Sequence, residues 1–125
     1  DCSDNFAVRF LLNRLCVKHR VPLVSGAATR LDGQVSVYDP RNAASPCYRC
    51  LFDETGEEDL RCTTNGVLAP LVGLVGSIQA TETIKVLCGL GQPLTGKLLI
   101  VDALTMQFRS VKLKKNPACE VCGAP

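Results

Sequence analysis

Two periods of apolar and polar residues run along the chain. The mostly apolar stretch "FAVRFLLNRLCV" opens a predicted helix over residues 6–20, apolar around much of its circumference and therefore expected to be largely buried. Ser3 or Asp4 is the expected N-cap, accepting from the free N–H groups of the first turn, and Pro22 ends the element. "LVSGAA" (23–28) and "GQVSVYD" (33–39) predict two strands joined as a hairpin by a turn near Asp32-Gly33. A second helix is predicted from Pro70 to about Cys88, stopped by Gly89 and Gly91. On it Val67, Leu71, Leu74 and Ile78 make an apolar stripe. Ala69, Gly73, Gly76 and Ala80 make a stripe of small residues, where another backbone can approach, from the same chain or from a second copy. "KLLIVDA" (97–103) and "QFRSVKLK" (107–114) predict a closing hairpin. The order is helix, two strands, helix, two strands, with no internal repeat. The parallel βαβ opening of a doubly wound fold is absent.

Residues 40–65 fit neither period and are expected as a long loop, anchored at its start and mobile over 52–61. Loops of that length inside a compact domain are usually functional.

Composition narrows the classes. A chain of 125 residues suits one domain, and 46% hydrophobic against 21% charged residues permits a real core. The net charge is only +2, and the one basic cluster, "KLKK" at 112–115, reads as a solvated strand edge. With four Phe and two Tyr there is little to stack bases on, so no nucleic-acid partner is expected. The start is acidic, unlike a secretory signal, and the longest apolar run, "GVLAPLVGLVGSI", is too short to span a bilayer. A soluble, cytoplasmic chain with no membrane contact is expected.

Eight cysteines change the picture. "CYRC" pairs Cys47 with Cys50, and "CEVC" pairs Cys119 with Cys122. Each pair can grip one metal from a tight turn, and four thiolates complete a closed tetrahedral shell, so a structural zinc stapling tail to loop is favoured. Redox or disulfide C-x-x-C pairs are the alternative. His19 reads as a surface residue. Cys62, in "LRCTTNGVLAP", stands just before the second helix, where a thiolate is stabilised by the helix dipole; it reads as a reactive thiol or an inert one on equal grounds. Cys16 and Cys88 are expected to be packed, and Cys2 lies in the opening turn. "DCSDN" itself looks like the loop after a strand that has just finished, with an acidic turn suited to a metal-bound phosphate ligand.

Taken in order, "DCSDN" with Arg9, "PLVSGAA", "GQVSVYD", "PCYRCL", "CTTNGVLAPLVGLVGSIQATETIKVLCG", "GKLLIVDALTMQFR" and "NPACEVCG" resemble the second half of the ThiF/MoeB family, closest to the MoeB type. These are ATP-dependent activating enzymes of small ubiquitin-like sulfur carriers. The resemblance implies an α/β chain, the C-terminal half of a Rossmann-like activating-enzyme fold, with β-hairpins, two helices and a four-cysteine zinc site over residues 1–125. It implies adenylylation of the C-terminal glycine of a Gly-Gly-ended carrier of molybdopterin-synthase or thiamine type, and a homodimer. It assigns Cys2, Ser3, Asp4 and Asn5 to the nucleotide, Asp4 to the magnesium of Mg-ATP, and Cys47, Cys50, Cys119 and Cys122 to a structural zinc. Cys62 becomes a possible covalent acceptor of the activated glycine or of sulfur. The family's Gly-rich phosphate loop and its phosphate-neutralising cations are not in this chain, so the chain alone is expected to be inactive. No rhodanese-like domain, which some family members carry, is expected after "CGAP". A zinc-stapled module that binds a carrier tail without chemistry is the second reading.

Overall fold

The computed structural model describes residues 1–54 and 65–123. Strands β1 (Leu23–Thr29), β2 (Asp32–Tyr38), β3 (Lys97–Asp102) and β4 (Gln107–Lys112) form one antiparallel sheet in the order β1-β2-β3-β4. Helices α1 (Phe6–His19) and α3 (Ala69–Cys88) flank it, and the expected long loop contains a short helix, α2 (Tyr48–Leu51). The α/β class and the hairpins agree with the sequence reading.

The first turn differs by two residues. Thr29 pairs with Asp32, so Arg30 and Leu31 make the turn, with Arg30 at φ 54°. Gly33 lies inside β2 for another reason: a Cβ there would sit 2.7 Å from Val75 Cγ2 and 3.2 Å from Leu71 Cδ1. It is the point where α3 comes down onto the sheet.

The core has two parts. Val35 and Val101 of the sheet meet Leu71 and Val75 of α3, all nearly inaccessible. The second cluster joins Phe10 of α1, Leu23, Tyr38 and Tyr48, with Phe52 stacked on Tyr48 at 4.5 Å between ring centroids.

Two expectations are corrected, for α1 and for Cys88. In α1 only Arg9, Phe10 and Asn13 are buried, and Val8, Leu11 and Leu15 are 40–50% exposed, because only one narrow stripe meets β1 and α2. Strand β4 is exposed along its whole length, as the outer strand that no helix covers among the described residues, in keeping with the solvated edge read at 112–115. Cys88 is exposed rather than packed, because the inward stripe of α3 runs through Leu71, Val75, Gln79 and Glu82 instead. Gly73 and Gly76 face no atoms within 4 Å of a built Cβ, so the small-residue stripe makes no close contact among the described residues. By length and composition α3 is also apolar enough to cross a membrane, unlike the shorter run counted from the sequence. Its inward side nevertheless carries buried Gln79 and Glu82. Glu82 accepts from the Leu94 N–H at 2.9 Å and from Lys85 at 2.7 Å, fixing the loop that leads to β3.

Candidate functional site

The "DCSDN" turn lies against the outer edge of β1. The Asp1 backbone nitrogen donates to the Val24 carbonyl at 2.8 Å, and the Gly26 N–H donates to the Asp1 carbonyl at 3.2 Å. Asp1 is thereby held beside β1 through its main chain.

Three side chains hold the turn. Asp1 Oδ1 accepts from the Ser3 N–H at 2.8 Å and from the Ser3 hydroxyl at 2.6 Å. The buried Arg9 guanidinium donates twice to the Ser3 carbonyl, at 2.9 and 3.3 Å, and stands 5.3 Å from the Phe6 ring centre. Gln79 reaches from α3 to donate to the Asp1 carbonyl at 2.6 Å, and its Oε1 is 3.6 Å from Cys2 Sγ. The helix cap is not Ser3 or Asp4. Asn5, in extended conformation, accepts from the Val8 N–H at 3.2 Å. Capping requires the side chain next to the first helical residue, and the helix starts at Phe6. Asp4 lines a cavity of about 140 Å³ with Cys2, Ser3, Gly26, Gly76 and Gln79. A larger cleft of about 300 Å³ shares Arg9 and Ala27 with it and continues under Phe6 and Phe52 towards Gln34 and Ile100 on the sheet.

The second constellation is the cysteine quartet. All four sulfurs of Cys47, Cys50, Cys119 and Cys122 lie within 4.8 Å of one another. Cys47 and Cys119 are 3.7 Å apart, Cys50 and Cys122 3.4 Å, and all four are free thiols. A tetrahedral shell with metal–sulfur bonds of about 2.3 Å has edges of about 3.8 Å, so the donor set fits one metal ion and not two disulfides. Cys47 and Cys119 are buried, the other two half-buried.

The thiols compete for protons. Burial pushes the Cys47 thiol up, against hydrogen bonds from Asn13 and Cys122. Burial also raises Cys122, and the neighbouring thiols add to it. At Cys119 burial is outweighed by the Cys122 and Val121 N–H groups and the neighbouring thiols, which bring it down to about 7. Four crowded thiols cannot all ionise without a cation, so metal uptake must release protons.

Cys62 lies outside the described residues. Sequence reasoning singled out Arg9 beside "DCSDN" without giving it a role, and missed Gln79 and Asn13. A polar Gln in line with the apolar stripe through Leu71 and Val75 was the available signal for Gln79; Asn13 reveals itself only through distant partners.

The two constellations on one antiparallel sheet define a class, and comparison agrees with it: residues 1–121 match the model of the ThiF family, and the chain belongs to that family. Among curated proteins it is 54% identical over 123 residues to the molybdopterin-synthase adenylyltransferase of Escherichia coli K12, covering 98% of this chain and 49% of that one. It is 47% identical to the adenylyltransferase and sulfurtransferase MOCS3 of Drosophila virilis, covering 99% and 28%. The chain thus spans about half the length of these relatives or less. Among solved structures, E. coli MccB with ATP superposes with a TM-score of 0.78 at 19% identity, over 98% of this chain and 39% of that one. MccB with MccA-N7isoASN gives 0.79 at 20% identity, over 99% and 40%. At such identities the likeness shows the fold alone.

Proposed function

We propose that the full-length protein carrying this chain is an ATP-dependent adenylyltransferase that activates the C-terminal glycine of a small ubiquitin-like sulfur carrier. The observation that carries this reading is the family match across residues 1–121 together with 54% identity to a molybdopterin-synthase adenylyltransferase. In the reaction a carboxylate oxygen of the carrier tail bonds to the α-phosphorus of ATP, the bond to the β-phosphate breaks, and pyrophosphate leaves. Cys62 is the candidate acceptor of the acyl group: its sulfur bonds to the activated carbonyl carbon, the bond to the adenylate oxygen breaks, and AMP leaves.

Cys2 to Asn5 are assigned to the nucleotide and Asp4 to its magnesium. Magnesium is held by one or two carboxylates plus substrate phosphates, and when bound it offsets the charge of the triphosphate. Asp4 suits that role because Asn5 already serves as the cap. A carboxylate beside a helix N-terminus otherwise repels the phosphate that the dipole attracts. The narrow cleft walled by Ala27 and Ala28 suits an extended Gly-Gly tail approaching the acidic turn.

The metal of the quartet is assigned as zinc, because an all-thiolate tetrahedral set without an open position suits a structural zinc. It would be held by Cys47, Cys50, Cys119 and Cys122, and would staple the tail to the loop. The free thiols fit a reducing compartment such as the cytoplasm. The homodimer expected from the family is read by sedimentation of the full-length protein.

The testing experiment is carrier-dependent exchange of labelled pyrophosphate into ATP by the full-length protein, with molybdopterin-synthase and thiamine-type carriers in parallel. Exchange with one Gly-Gly-ended carrier supports the reading and names the pathway. Tight carrier binding with no exchange under any condition favours a binding module instead.

A further inference from the structure

Asn13 is 1% exposed, on the middle of α1, and both ends of its amide are used. Its Oδ1 accepts from the Tyr48 N–H at 2.9 Å, and its Nδ2 donates to Cys47 Sγ at 3.4 Å. The assignment of the two ends is forced. A backbone N–H can only donate, so the oxygen must face Tyr48 and the NH2 must face the sulfur. No other side chain among the described residues caps α2: Cys47 stands at its N-cap position without a capping bond. Asn13 therefore supplies that cap from another helix, and with the same group grips the first sulfur of the quartet.

We propose that Asn13 is a positioning residue of the metal centre. It sets the direction of the Cys47 sulfur and draws charge from it through an N–H···S bond, while its carbonyl fixes the turn that carries Cys47 and Cys50. This rests on the metal reading above. Neutral amide donors suit this place. A thiolate shared with a metal keeps lone pairs that need donors in a buried site, and an acceptor there would face a negative sulfur. The backbone serves a second sulfur in the same way, with the Asn116 N–H 3.5 Å from Cys50 Sγ. Asn13 also ties the centre to the turn that leads α1. Asn5 caps the helix that carries Asn13, so the quartet and the acidic turn are joined by one rigid element.

The test uses full-length protein loaded with zinc or cobalt(II). Metal affinity is measured by chelator competition, and the sulfur-to-cobalt charge-transfer band is recorded. Asn13→Asp keeps the acceptor for Tyr48 and puts a second acceptor where the donor to sulfur stood. Asn13→Ser is smaller than the native residue and retains a weak donor. Asn13→Asp is expected to weaken metal binding about 10- to 100-fold and to move the band to lower energy, because the sulfur lone pairs lose their donor. Asn13→Ser is expected to fall between it and wild type. If Asn13→Asp fails to fold, a band shift in Asn13→Ser decides. Unchanged affinity and an unchanged band in any folded variant overturn the assignment of Asn13 alone. A wild-type protein that takes up neither metal overturns it together with the metal reading.

Discussion

The two faces of the sheet are held together by different physics. On one, α3 lays Leu71 and Val75 on Val35 and Val101, a dry aliphatic contact with Gly33 clearing the way. On the other, α1 and α2 bring an aromatic group of Phe10, Tyr38 and Tyr48 together with buried Arg9, Asn13, Ser25 and Ser36, beside four cysteines. The first face is stable because area is removed from water. The second has less aliphatic area and many polar groups that must be paired, and a metal can join its segments directly. The acidic turn sits where the two meet, gripped by Gln79 from the α3 side and by Arg9 from the α1 side.

The contrast can be broken first at the metal. Structural zinc in small domains contributes on the order of 10–16 kcal/mol of apparent binding energy. Cys47→Ser, or chelation, is therefore expected to release both the 45–52 segment and the 116–123 tail, since one ion in the quartet would hold both. Hydrogen exchange should rise sharply in those segments and far less in α3. Equal loss of protection on both faces would contradict the division.

Leu71→Ala attacks the other face. It should cost about 2–5 kcal/mol, as truncation of a fully buried leucine does. Denaturant unfolding should show that cost while the folded variant keeps wild-type metal affinity. A smaller effect comes from Gly33→Ala, whose methyl would meet Val75. Overpacking of this kind costs about 1–3 kcal/mol, again by denaturant unfolding and again without loss of metal.

Much of this was legible in the chain because it is local. Pro70 and Gly89 bracket α3 through backbone rules, and Gly89 indeed adopts a left-handed conformation at the C-cap. The cysteine pairs announce a shared centre by spacing. What was not legible depends on approach from far away. Gly33 reads as a turn residue until α3 is seen above it. The leucines of α1 read as core, yet Leu11 and Leu15 stay exposed because no element among the described residues covers that side. Ser3, Asp4 and Asn5 are all good caps, and only the helix start at Phe6 chooses among them. Asn13 looks like any helix-surface asparagine until Cys47 and Tyr48 fold against it.

The proposal that the acidic turn is half of an adenylylation site is tested most directly at Asp4. Asn cannot replace a carboxylate on magnesium, but it suits the same turn, and the cap belongs to Asn5 in any case. Pyrophosphate–ATP exchange is measured in full-length wild-type and Asp4→Asn protein over a magnesium series, with thermal unfolding to compare their stability. The account predicts equal unfolding temperatures and an exchange rate lower by roughly a hundredfold or more in the variant. A folded Asp4→Asn protein that exchanges at the wild-type rate, even at limiting magnesium, would contradict it.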